Sequence, residues 1–280
     1  MRIICKKSNL VKGVSIVSKA VPSKTTMPIL ECILIQAFDN YLKLTANDME
    51  LGIETIIKGQ MIEKGIVAID AKILSDIVRK LPDNDITLDI DENYNVHITC
   101  EKSDFNIIGK SGDDFSYLPK IEKNDGILIS QFTLKELIRQ TIFSISDNEN
   151  NKLMKGELFE INENVLKIVS LDGYRISIRK IELKNSYENK KVVVPGKTLN
   201  EISKILSGEM DQNVEILFTD KHIVFEFNQT VVVSRLIEGE YFNISQMLLN
   251  DYETKIKMNK KELYNCLDRS TLLVKEGDKK

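Results

Sequence analysis

Four aspartates crowd the stretch "PDNDITLDIDEN": Asp83, Asp85, Asp89 and Asp91. Carboxylates so close together could hold divalent cations for phosphodiester chemistry, so a metal-dependent DNA-processing enzyme is one reading. The pattern also fits a simpler role. Asp89 and Asp91 alternate with Leu88 and Ile90, as on a strand with one solvated face, and Asp83 to Asp85 follow Pro82 in a turn. An EF-hand loop needs a central glycine and a terminal glutamate at fixed spacing, and neither is in place. His97 and His222 each sit in an alternating strand pattern with no Cys or His at ligand spacing, which suits structural histidines. The chain has no glycine-rich phosphate loop, no nucleophile elbow and no Ser-His-Asp constellation. No cofactor and no metal are expected. A binding protein is the leading expectation and the aspartate-based enzyme the alternative.

The 280 residues, 42% hydrophobic and 29% charged, have the composition of a globular protein with room for more than one domain. The opening "MRIICKKSNLVKG" interrupts its apolar run at Lys6 and Lys7, unlike a secretory signal. No window reaches the roughly eighteen apolar residues of a membrane span. A cytoplasmic protein without membrane contact is expected. Cys5, Cys32, Cys100 and Cys266 are scattered with no close pair, so they are expected to be reduced and structural.

The elements that must position any site are written twice. Leu34 falls on Leu158, Leu42 on Leu166, Leu44 on Ile168 and Asp48 on Asp172, all at one constant offset. At nearly the same offset "VAIDAKILSDIVRKL" from Val67 meets "VVVPGKTLNEISKIL" from Val192, with Lys72 on Lys197 and Leu74 on Leu199. A third copy begins, since "MNKKELYNCLDR" from Met258 echoes "FTLKELIRQTIF" from Phe132. Apolar residues at helical spacing predict helices over 8–20, 71–81, 132–145 and 196–207, and short alternating runs such as "NVHIT" and "IVFEF" predict strands between them. Each copy is thus two helices and many strands. Proline and glycine are scarce, so the joints near 120–127 and 246–254 are expected to be short and packed.

Charge is unevenly shared between these elements. The four predicted helices carry nine basic residues (Lys12, Lys19, Lys72, Arg79, Lys80, Lys135, Arg139, Lys197 and Lys204) against three acids, Asp76, Glu136 and Glu201. The whole chain carries a formal charge of −3, so the remainder is markedly acidic. Basic helices in an acidic protein make a surface that attracts phosphates and repels them elsewhere. The helices lack the cluster of Asn, Gln and Arg expected of a base reader, so the expected contact is to backbone without sequence preference.

The helix before "VPSKTTMPILECILIQ", then "LTANDMEL", "DAKILSDIVRKLP", "LFEINENVLKIVSLDGYRISI" and "VVVPGKTLNEISKIL", resemble the bacterial DNA polymerase sliding clamp, the beta subunit of the polymerase III holoenzyme, along the whole chain. The resemblance implies an α+β fold of repeated clamp domains, each with two helices lining a channel and antiparallel sheets outside. The domains would cover 1–124, 125–250 and, as the start of an incomplete third, 251–280. It implies a non-catalytic processivity factor that encircles double-stranded DNA as a head-to-tail homodimer. Its partners would be the replicative polymerase catalytic subunit, the clamp loader and other clamp-binding replication and repair proteins.

By the same resemblance DNA is held by Lys24, Lys72 and Lys197. A hydrophobic cleft for short Leu- and Phe-containing peptides is lined by Met154, Leu171, Gly173, Tyr174, Arg175 and Ile176, with Phe242, Gln246 and Met247 on its far side. In this picture Gly173 tightens the turn, Arg175 offers hydrogen-bond donors, and the methionines adapt to several side chains. The first-copy turn has Met49 and Glu50 in place of Gly173 and Tyr174, so it is expected to be scaffold. The chain departs from the family pattern at Ser116 and Phe242, where proline is usual, and at Gln246, where arginine is common. Three full copies need a longer chain than this one. A protein ending at Lys280 is therefore expected to fold as a pair of domains without closing a ring.

Overall fold

The computed structural model describes residues 1–39, 41–119, 121, 126–146, 151–248 and 251–274. Both expected copies appear in chain order. The first runs β1 (Arg2–Lys6), α1 (Lys7–Val17), β2 (Cys32–Ala37), β3 (Tyr41–Asn47), β4 (Leu51–Lys58), β5 (Gln60–Glu63), β6 (Gly65–Asp70), α2 (Ala71–Lys80), β7 (Asp85–Ile90), β8 (Asn95–Cys100) and β9 (Ser103–Ile108). The second runs β10 (Ile127–Ser130), α3 (Gln131–Thr141), β11 (Gly156–Leu171), β12 (Ile176–Pro195), α4 (Gly196–Ile205), β13 (Asn213–Phe218), β14 (His222–Phe227) and β15 (Thr230–Arg235). In the second copy β11 covers the stretches matching β2 and β3, and the long β12 covers those matching β4 to β6. After them come the short helix α5 (Ile244–Met247) and α6 (Lys260–Ser270).

Local chemistry explains the helix ends. Asp70 Oδ1 accepts from the Ile73 amide at 2.8 Å to start α2, and Ser130 Oγ accepts from the Thr133 amide at 3.1 Å to start α3. The orphan carbonyls at the far ends are met by lysines from the neighbouring helix. Lys7 Nζ donates to Leu81 O after α2, and Lys135 Nζ donates to Leu206 O at 3.1 Å after α4. These lysines belong to the scaffold.

Two compact units emerge, Met1–Glu240 and Tyr241–Lys280. The first holds both copies, because they share one sheet. Its eight strands run β10-β13-β14-β15-β4-β3-β2-β6, and the central β15–β4 pairing, from Thr230 opposite Thr55 to Ser234 opposite Leu51, joins the second copy to the first. At that seam the buried hydroxyls of Thr55 and Thr230 hydrogen-bond at 2.8 Å. A five-stranded sheet, β5-β1-β7-β8-β9, and the β11–β12 hairpin complete the antiparallel set. Leu10, Val14 and Val17 of α1, Leu74 and Val78 of α2, Leu134 and Ile138 of α3, and Leu199 and Ile202 of α4 all enter one apolar core. The boundary expected at 124/125 lies outside the described residues.

In the second unit α6 is capped by Asn259, whose Oδ1 accepts from the Lys261 and Glu262 amides. Its Leu263, Tyr264 and Leu267 are exposed. Cys5, Cys32 and Cys100 are buried free thiols, as suits structural residues, but Cys266 on α6 is exposed and so is no part of a core. Among the described residues no helix is long and apolar enough to cross a membrane.

Candidate functional site

The four aspartates do not converge. Asp89 on β7 faces Arg2 at 3.7 Å, and Asp91 folds its own turn, accepting from the Asn93 and Asn95 amides and from Asn95 Nδ2. Among the described residues no group of three or more His, Cys, Asp and Glu could hold a metal. His97 stands exposed beside Asp104 at 3.6 Å. His222 on β14 has its pKa lowered by partial burial and by the positive charges of Arg235 and Lys221.

The basic helices sort themselves by partner. All three acids on them neutralise a near neighbour: Asp76 pairs with Arg79 at 2.6 Å, Glu136 with Arg139 at 2.7 Å and Glu201 with Lys204 at 2.6 Å. With Lys135 spent on a carbonyl, the cations left without an ion pair among the described residues include Lys12, Lys72 and Lys80, all exposed. Lys24 is exposed in the segment ahead of the turn at Pro28–Glu31. Lys72 and Lys197 occupy matching places in the first turns of α2 and α4. They differ in company: Lys197 Nζ is bonded to Asp48 Oδ2, across from the second copy to the first.

The second candidate region is built around the tip of the β11–β12 hairpin. Asp172 Oδ1 accepts from the Tyr174 and Arg175 amides at 3.0 and 3.1 Å, and its Oδ2 accepts from Arg175 Nε at 2.9 Å. Burial works against the Asp172 carboxylate, but the two amides and the guanidinium outweigh it and hold its pKa below the ordinary aspartate value. Gly173 has φ +91°, which explains glycine at this position. The turn thrusts Tyr174 outward, 81% exposed, while Leu171 is buried beneath it. Arg175 stacks over Phe143 at 5.6 Å, and among the described residues its terminal nitrogens make no hydrogen bond.

One segment, Thr141 to Ser146, ties Met154 to this tip. Ser170 Oγ donates to Thr141 O at 2.6 Å, Ser144 and Ser177 share a hydroxyl bond of 2.6 Å, and the Ser146 amide donates to Met154 O at 2.8 Å. Six of the nine expected cleft residues, Met154, Leu171, Gly173, Tyr174, Arg175 and Ile176, therefore lie on one bonded framework. Phe242, Gln246 and Met247 belong to the unit Tyr241–Lys280, with Phe242 edge-on to Tyr241 at 5.6 Å and Met247 half-exposed on α5.

Sequence reading overlooked Phe143, a 55% exposed aromatic under Arg175. The internal alignment carried a signal for it, since the matching position in the first copy is Lys19. It also overlooked the Asp48 to Lys197 contact, which no local pattern announces.

The DNA polymerase III beta subunit N-terminal domain family matches residues 1–119, and the family of its central domain matches residues 128–243. The beta sliding clamp of Staphylococcus epidermidis is 33% identical over 285 residues, spanning 99% of this chain and 75% of that protein. A crystal structure from Eubacterium rectale ascribed to a DNA polymerase III beta subunit superposes with a TM-score of 0.96 at 68% identity, covering 99% of this chain and 76% of that one. The DNA polymerase sliding clamp of Bacillus subtilis superposes with a TM-score of 0.95 at 32% identity, covering 99% and 75%. Together with the duplicated α+β plan, these matches show that the chain belongs to the DNA polymerase III beta subunit family, the bacterial sliding clamps.

Proposed function

We propose that this chain serves as the DNA sliding clamp of a replicative polymerase, a non-catalytic processivity factor that holds duplex DNA without reading its sequence. The observation that carries this reading is the pair of basic helices in each copy of an otherwise acidic chain, with Lys72 and Lys197 at matching positions in the first turns of α2 and α4. In this reading the clamp domains span 1–124, 125–250 and the start of a third at 251–280. Lys24, Lys72 and Lys197 face the phosphate backbone, and the full protein closes as a head-to-tail homodimer in the cytoplasm.

The framework around Gly173 and Arg175 receives short hydrophobic peptides from the polymerase catalytic subunit, the clamp loader and other replication and repair proteins. Leu171 and Met154 supply the apolar floor, and the terminal nitrogens of Arg175 meet peptide carbonyls.

The test is binding to a fluorescent duplex over a series of salt concentrations. A Lys24→Glu, Lys72→Glu variant is expected to bind about tenfold more weakly at low salt, with a log–log salt slope shallower by about one for each charge removed. Binding and slope equal to the parent protein would take these lysines off the DNA surface.

A further inference from the structure

The two turns of the repeat use the same aspartate for different ends. Asp172 spends its second oxygen on Arg175 in its own turn. The position matching Arg175 in the first copy is Leu51, which is buried. Asp48 therefore has no cation in its own turn. Its Oδ1 accepts from the Glu50 and Leu51 amides at 3.0 and 2.6 Å, as in the twin turn, and its Oδ2 reaches Lys197 at the start of α4. The Asp48 side chain is only 6% exposed, so this carboxylate is held in place, while Lys197 is 58% exposed. Lys72, at the matching place in the first copy, has no ion pair among the described residues.

We propose that Asp48 masks Lys197: it neutralises one of the lysines of the DNA-facing helices and so loosens the grip of α4 on phosphate relative to that of α2. The inference rests on the reading that these lysines meet DNA. Its physical basis is short. An ammonium bonded to a fixed carboxylate presents a dipole to a nearby phosphate, and a phosphate must displace that carboxylate to gain full contact. A protein that must move along DNA is served by weak, replaceable contacts, and one built-in anion supplies that weakness at a defined point.

The experiment compares Asp48→Asn, Lys72→Met and Asp48→Asn with Lys197→Met, all in the complete chain, by duplex binding over a salt series. Asparagine keeps the Oδ1 acceptor that closes the turn, and thermal melting checks that the fold is kept. Asp48→Asn is expected to tighten binding about threefold near 0.1 M salt and to steepen the log–log slope by about one. Adding Lys197→Met should remove more than half of that gain, which a general change in charge or fold would not do. Unchanged or weaker binding by Asp48→Asn, together with weaker binding by Lys72→Met, overturns the masking and leaves the DNA-facing surface standing. If Lys72→Met also binds as the parent does, the DNA-facing reading fails and the masking with it.

Discussion

The turn at Asp48 and the turn at Asp172 have the same backbone and opposite surroundings. Both aspartates accept two amides two and three residues ahead, and both are followed by a left-handed residue, Met49 at φ +74° and Gly173 at φ +91°. Around the first turn the chain closes upon itself. The Arg235 amide donates to Glu50 O at 2.9 Å, Asn47 Nδ2 donates to Ser116 O at 3.1 Å, and Leu118 lies so close that a Cβ on Gly52 would fall 1.9 Å from its Cδ2. The tip residues of both turns are exposed, Met49 and Glu50 in the first and Tyr174 and Arg175 in the second, but around the second turn nothing lies within 4 Å of a Cβ placed on Gly173. Beneath them the cores diverge as well. Val17, Ala20, Ile33, Ala46 and Ile53 of the first copy are all buried, and their counterparts are Thr141, Ser144, Glu157, Ser170 and Ser177. Duplication kept the plan, and one copy became a joint while the other kept a polar, bonded base under an open tip. A joint gains from apolar packing, whereas a presented surface gains from directional bonds that fix its shape.

Swapping residues between the copies tests that contrast, and Glu157 gives the largest expected effect. It replaces Ile33 of the first copy, and burial pushes its carboxyl up to about 8, with neither carboxyl oxygen finding a hydrogen-bond partner among the described residues. An ordinary glutamate in the unfolded chain titrates near 4.5. The stability linked to this group is therefore present below that value and lost as pH rises through about 8. Glu157→Ile is expected to raise stability on the order of 3 kcal/mol at neutral pH and to flatten its decline with pH. Denaturant unfolding at several pH values is the measurement, and an equal decline in parent and variant would mean that Glu157 stays ionised.

Next in size is Arg175→Leu, which gives the second turn the residue of the first. Loss of a charged hydrogen-bond donor should weaken capture of a Leu- and Phe-containing peptide by about tenfold. Calorimetry reads it, and parental affinity would remove Arg175 from the cleft. The smallest effect concerns the left-handed residue. Gly173→Met has open space around it, with nothing within 4 Å of the new Cβ, so its cost is backbone strain alone, about 1 kcal/mol. Met49→Gly should change stability by less than about 0.5 kcal/mol, because relief of strain is offset by a more flexible unfolded chain. A Gly173→Met protein as stable as its parent would show that the turn accommodates either residue freely.

Much of this was legible in the residues, and the limits fall where physics places them. The helices followed from apolar spacing, as at Leu74 and Val78, and the pairing of Lys72 with Lys197 followed from the internal alignment, because both signals are local or repeated. The closing of α2 by Lys7 and of α4 by Lys135 was not legible, since the two lysines sit at different places in the repeat and meet carbonyls far along the chain. The nine expected cleft residues illustrate both sides. The turn chemistry of Asp172 and Gly173 is written in consecutive residues, yet Phe143 joins them only because α3 ends over the hairpin tip.

By itself the sequence determined the duplicated plan, the element types, the basic helices and the open turn, each carried by short-range periodicity or by repetition. Tertiary structure alone decided that β15 pairs with β4, so that two copies become one sheet. That same seam joins the copies across which Asp48 and Lys197, 149 residues apart, form their ion pair. Strand pairing at such separation depends on which edges the packed core leaves unpaired, and no local pattern of residue types records that choice.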